Sequence, residues 1–152
     1  VLFLLGAALV AGYALNRTIL GRYTFALGSS EEATRLSGVP VVAWKIAVYA
    51  VSGLFAGLAG LLMAARLDSA QPSLGFGYEL EAIAAAVIGG TSLSGGEGTI
   101  LGTVIGAFLI SILTNGLRIL SVSQEWQIVV TGVIVVVAVY LDIVRRRTQE
   151  RA

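Results

Sequence analysis

Residues 46–65 read IAVYAVSGLFAGLAGLLMAA, from Ile46 to Ala65, twenty positions without one charged side chain. About 20 helical residues, each rising 1.5 Å, cross a hydrocarbon core of roughly 30 Å. A segment of this length and composition suits a helix that spans a bilayer, and the composition of the whole chain agrees with it. Hydrophobic residues make up 57% of the 152 positions and charged residues 12%, against about 25% charged in ordinary soluble domains. That balance excludes a soluble fold. Cysteine and histidine are both absent, which removes disulfides, zinc sites, thiol nucleophiles and imidazole acid–base chemistry together. A formal charge of +1 is too small to point to nucleic acid.

Outward from residues 46–65 lie four further apolar runs, at 1–15, 80–93, 99–117 and 126–144. Val1 stands inside an apolar run with no basic flank ahead of it, so the first run is expected to be the second part of a helix that starts upstream. Residues 16–45 carry Arg17, Arg22, Glu31, Glu32, Arg35 and Lys45, and predict a loop outside the membrane with its own short helix. Gln71-Pro72, Gly75 and Gly77 make a loop of 66–79. A glycine-rich turn from Gly89 to Gly98 separates 80–93 from 99–117, and Arg145, Arg146 and Arg147 end the last run.

Basic residues collect on cytoplasmic flanks. The segment 16–45 holds four and the tail after Val144 holds four, whereas 66–79 and 118–125 hold one each. Both rich segments are therefore expected in the cytoplasm, and an even number of crossings must separate them. Residues 46–65, 99–117 and 126–144 supply three, so 80–93 must be the fourth. Its 14 residues reach only about 21 Å as a helix. It is expected to be extended by Glu79 or by the glycine turn, or to end in a protein-lined cavity. The fold class is an all-α, polytopic transmembrane helix bundle of about five spans, with a cytoplasmic C-terminus.

Small residues recur every fourth position at Gly98, Gly102 and Gly106, and again at Thr103, Ala107, Ser111 and Asn115. Gly53 and Gly57, with Ala56 and Gly60, do the same in 46–65. Such stripes let a second backbone approach closely, which is how helices pack in lipid. Asn115, a polar group within an apolar span, faces either a translocation path or a hydrogen-bonding neighbour helix. Glu79 and Glu81, two apart, do not share a helix face and make no acid–base dyad. In Ser29-Ser30-Glu31-Glu32-Ala33-Thr34-Arg35-Leu36-Ser37-Gly38-Val39-Pro40, Ser29 or Ser30 can cap a helix with Glu31 and Glu32 in its first turn, and Gly38 and Pro40 stop it. A helix so short needs something to dock against. Spacing alone leaves open whether that is its own membrane domain or a cytoplasmic partner.

No residue set here performs chemistry on its own. Lys45 is the one lysine and no Gly-Lys-Ser/Thr run accompanies it, so ATP has to be handled by another chain. No metal or cofactor site is expected.

The sequence resembles the membrane subunits of bacterial ribose-type ABC importers, which take up monosaccharides such as pentoses and hexoses. The resemblance rests on Gly21-Arg22-Tyr23 leading into Glu31 to Val39; on Ser69-Ala70-Gln71-Pro72; on Gly77-Tyr78-Glu79-Leu80-Glu81-Ala82-Ile83-Ala84-Ala85; and on Gly89 to Thr99. It implies a subunit of about ten helices in a bacterial inner membrane, of which this chain holds the last five. It implies a second copy of the subunit, a cytoplasmic ATP-binding subunit and an extracytoplasmic sugar-binding protein as partners. It also implies that Glu31, Glu32, Ala33, Arg35, Leu36, Ser37 and Gly38 form the coupling helix that seats in a groove of the ATPase. Gly89, Gly90, Thr91 and Asn115 are candidates for the translocation path. Thr34 stands where the family commonly has alanine, and Glu81 where it commonly has aspartate. A branched-chain amino-acid or nucleoside importer subunit shares this architecture. An intramembrane enzyme is disfavoured by the missing His, Cys and carboxylate pair, and a structural scaffold by the capped loop helix.

The topology is open to a direct check. Cysteines placed at Ser30 and at Arg147 should react with a membrane-impermeant thiol reagent from the cytoplasmic side alone, and one at Ser73 from outside. Reaction of the Arg147 position from outside would defeat the parity.

Overall fold

The computed structural model describes residues 2–69 and 75–149. Gln71-Pro72 and the labelling position Ser73 lie outside the described residues. Among the described residues seven helices follow one another: α1 (Leu2–Arg17), α2 (Ile19–Ser29), α3 (Glu31–Leu36), α4 (Val41–Leu67), α5 (Tyr78–Ile88), α6 (Ile100–Ile119) and α7 (Gln124–Gln149). The all-α class expected from composition is what the chain adopts.

The segment 16–45, read from its charges as a loop, is mostly helical. Ile19, Leu20, Tyr23, Phe25 and Leu27 give α2 more apolar surface than a solvated loop carries, so it packs against α1 and α4. Thr18, in extended backbone, breaks α1 from α2 and the two bend by 70°. Gly21 sits at the inside of this bend, buried against the backbone of Leu15. Helix α4 begins at Val41 rather than Ile46. Its first turns continue the apolar run through Trp44, whose ring meets Tyr23 with centroids 4.7 Å apart. Lys45 reaches away to Glu31, so its charge does not stop the helix.

Among the described residues, α4 and α6 are long and apolar enough to cross a membrane, and the bent pair α1–α2 makes a third if counted as one span. Five were counted in the sequence. Helix α5 has 11 residues, about 16 Å, and α7 has an apolar stretch only from Glu125 to Tyr140. The helix itself continues through the three arginines after Val144 to Gln149; arginine is itself a good helix former.

The packed centre is α5, held against α6 and α7. Ala84, Ala85 and Ile110 are buried there, with Ile88, Ala107, Ile134 and Val135 around them. The α5–α6 contact is made by backbone. A Cβ on Gly102 would lie 1.9 Å from the Gly89 carbonyl oxygen, and one on Gly106 would lie 2.0 Å from the carbonyl oxygen of Ala85. Gly98, the third member of the expected stripe, precedes α6 and packs on the side chain of Thr91. Gly53 and Gly57 meet nothing within 4 Å, so the face they form on α4 has no helix of the described chain against it.

Because a peptide plane, unlike a flexible side chain, cannot move aside for a Cβ, Gly102→Ala in the full-length subunit should cost about 1–3 kcal/mol. Gly102→Leu should block assembly. Thermal unfolding in detergent checks both, and a Gly102→Ala subunit as stable as its parent would contradict this contact.

Candidate functional site

Three features carry polar groups or special backbone. The first is the tip α3. Ser30, in extended backbone, caps it by accepting a hydrogen bond from the Ala33 amide at 3.2 Å, which chooses Ser30 over Ser29 as the cap. Glu31 and Glu32 occupy the first turn, where negative charge suits the helix dipole. Ser37 ends the helix, its amide bonded to the Ala33 carbonyl, and Gly38 follows at φ +82° with its amide on the Arg35 carbonyl. Thr34 is buried, and its hydroxyl donates to the Ser30 carbonyl at 2.8 Å. It turns one side of α3 inward, while Glu32, Arg35 and Leu36 stand exposed, Leu36 at 80%. The Lys45–Glu31 ion pair is about half exposed at both ends and contributes at most about 1 kcal/mol.

The second feature is the glycine-rich turn. Helix α5 closes with Gly90 at φ +86°, its amide bonded to the Val87 carbonyl, while the Thr91 amide reaches the Ala86 carbonyl. This pair of bonds satisfies the last carbonyls of the helix and requires a left-handed residue at Gly90. Thr99 then caps α6 by accepting from the Gly102 amide at 3.1 Å. Between them, Gly95 and Gly96 rest on Gly28 and Ser29 at the end of α2. A Cβ on Gly28 would come 2.6 Å from the Gly96 nitrogen. The turn therefore touches the two residues that precede the cap of α3.

The third feature is a cleft of about 480 Å³ at the opposite end of α5, bounded by α5, α6 and α7. Tyr78, Glu81, Thr114, Arg118, Gln127 and Thr131 line it, beside Phe76. Gln127 donates its amide to the Val122 carbonyl at 2.8 Å, and Thr131 its hydroxyl to the Gln127 carbonyl at 3.0 Å.

Of the residues suggested for a translocation path, Gly89, Gly90 and Thr91 are at the α5–α6 joint, and Asn115 is exposed on α6. They are not brought together. Sequence reasoning gave no role to Thr34, Gly28, Gly95, Gly96 or the cleft residues. Thr34 was visible as a departure from the family pattern. The Gly28 contact left no sequence signal, since residues so far apart share no periodicity.

A bundle of apolar helices with a capped, exposed six-residue helix beside its bent pair defines a polytopic membrane protein. The chain belongs to the family described as "Branched-chain amino acid transport system / permease component", which matches residues 1–139. It is 55% identical over 134 residues to the ribose import permease protein RbsC of Escherichia coli K12, covering 88% of this chain and 42% of that protein. RbsC of Bacillus subtilis 168 is 50% identical over 128 residues, 84% of this chain and 40% of its own length. The xylose transport system permease protein XylH of E. coli K12 is 45% identical over 146 residues, 96% of this chain and 36% of its own. The chain thus spans about two fifths of the relatives it matches. No solved structure matches it.

The cap of α3 can be tested locally. Ser30→Ala should destabilise the helix by about 1 kcal/mol, read as faster amide hydrogen exchange in 31–36 with exchange in α5 and α6 unchanged. Unchanged exchange in 31–36 would remove Ser30 as the cap.

Proposed function

We propose that the chain is the C-terminal part of the membrane-spanning subunit of an ATP-driven monosaccharide importer, set in a bacterial inner membrane with its C-terminus in the cytoplasm. The observation that carries this reading is the 45–55% identity to permeases named for ribose and xylose. The family description names branched-chain amino acids, but the sugar permeases quoted match up to 96% of the chain at these identities, which favours a sugar. In this reading the subunit crosses the membrane at about 1–15, 46–65, 80–93, 99–117 and 126–144, with 16–45 on the cytoplasmic side. It works as a homodimer with a cytoplasmic ATP-binding subunit and an extracytoplasmic sugar-binding protein.

The exposed face of α3 is the seat for the ATPase. Three properties support this. Helix α3 is capped at both ends, so it keeps its shape when pushed; Thr34 is buried on its inner side; and Leu36 offers an exposed apolar knob beside the charges of Glu32 and Arg35. An exposed leucine flanked by charges suits a groove in a soluble protein better than a lipid surface. The α5 segment completes its crossing through the glycine-rich turn, which is why 11 helical residues suffice. That turn reaches the end of α2 next to α3, the side assigned to the cytoplasm.

Gly38 has open space where a Cβ would point, so substitutions there act through backbone strain, about 1–2 kcal/mol for a residue bearing Cβ. Gly38→Val and Glu32→Lys in the full-length subunit should leave membrane insertion intact, lower sugar uptake and abolish sugar-stimulated ATP hydrolysis by the partner. Gly38→Asn, which tolerates the left-handed region, should retain more of both. Wild-type uptake and stimulated hydrolysis in both Gly38→Val and Glu32→Lys would mean that α3 is not the coupling element.

A further inference from the structure

The cleft at the N-terminal end of α5 contains a hydroxyl that the fold does not use. Thr18, Thr24, Thr34, Thr103 and Thr131 each donate the side-chain hydroxyl to the carbonyl four residues earlier, the ordinary solution for a threonine in a helix. Thr114, on α6, departs from this pattern. Its Oγ1 is buried and has no hydrogen-bond partner among the described residues. A buried polar group left unsatisfied costs free energy and calls for a reason, and Thr114 lines the cleft.

The rest of the lining makes the reason specific. Gln127 is held by its bond to Val122, so its carboxamide is oriented before any ligand arrives. Glu81 adds an acceptor and Arg118 a donor, and one carboxylate with one guanidinium leaves the cleft without net charge. Phe76 and Tyr78 supply flat apolar faces at its edge. Charged and amide side chains on membrane helices are costly against lipid and mark water-filled pathways. The volume of about 480 Å³ lies within the range of roughly 300–1,000 Å³ typical of small-molecule sites. Mixed donors and acceptors, no net charge and aromatic edges fit a neutral polyhydroxylated molecule of monosaccharide size better than an ion.

Position agrees with chemistry. The turn that opens α6 touches Gly28 and Ser29, beside α3, whereas Arg118 is at the other end of α6, near Ile119. Thr114 and Arg118 lie about 21 and 27 Å along α6 from its start at Ile100, most of the roughly 30 Å thickness of a bilayer core.

We propose that the cleft between α5, α6 and α7 is a contact site for the transported sugar at the extracytoplasmic end of the subunit, with Thr114 and Gln127 as hydrogen-bonding contacts. This rests on the importer reading above. The test is uptake by the complete transporter reconstituted in vesicles, with one binding protein throughout, measured for ribose, xylose, 2-deoxyribose and leucine. Wild type should take up at least two of the sugars. Thr114→Val and Gln127→Leu should then change the ratio of rates among the sugars by about three-fold or more, because a lost hydrogen bond weighs differently on sugars whose hydroxyls differ. Thr114→Ser, which keeps the hydroxyl, should retain the wild-type ratio. Rates lowered equally for every sugar, or not lowered at all, would overturn the site while leaving the importer reading in place. Uptake of leucine and of no sugar by wild type would overturn the importer reading itself. Should Thr114→Val fail to assemble, Gln127→Leu, on a different helix, carries the same comparison.

Discussion

The contact on which the other features depend is the approach of α6 to α5 with backbone against backbone, Gly102 on the Gly89 carbonyl and Gly106 on the Ala85 carbonyl. In lipid, apolar side chains gain nothing by leaving the solvent, so helices associate through dispersion contacts, and those strengthen as axes come closer. Only residues without a Cβ permit this approach. Gly89 is also where α5 ends, so one short stretch both packs the helix and terminates it. The chain must then leave the α5–α6 seam at once, and Gly90 in the left-handed region turns it out. The path that follows brings Gly95 and Gly96 onto Gly28 and Ser29. The position of α2, and through Ser30 that of α3, is thus tied to the α5–α6 contact.

In the importer reading, this arrangement forms a mechanical line. The exposed face of α3 lies at one end and the polar cleft at the other, and between them the α5–α6 contact and the contact of the glycine-rich turn with the end of α2 are made by backbone. A displacement of α3 has few soft side chains in which to dissipate before it reaches α5 and α6. Helix α5 is short enough to move as a unit between its two glycine-bounded ends, Gly77 and Gly89.

Helix α4 behaves differently. Beyond its first turns, which meet α2 and α3, Leu54, Leu58 and Leu61 are exposed, while Ala56, Ala59, Gly60, Met63 and Ala64 line a cavity shared with Tyr78, Glu79 and Ala82 of α5. At Gly53, Gly57 and Gly60, on a helix this apolar, a Cβ would meet nothing within 4 Å. The chain spans about two fifths of its relatives' length.

Much was legible in the sequence because it rested on local chemistry. Apolar run length marked the helices, Ser30 and Gly38 bracketed α3, and the small residues at Gly102 and Gly106 announced a close-packed face, all from relations within a few residues. Helix boundaries were less legible, since charges at Arg22 and Lys45 suggested a loop where amphipathic packing and the reach of a long lysine side chain sustain helix. What only the tertiary structure decided is which faces meet. Small-residue stripes on α4 and α6 look alike in sequence, yet one is buried against backbone and the other is open. The Gly28 contact with Gly95 and Gly96, and the gathering of Glu81, Thr114, Arg118, Gln127 and Thr131 around one cleft, unite positions far apart in the chain. A linear sequence records the period of each helix but not the rotation of one helix about its axis relative to another, and that rotation determines which side chains share a space.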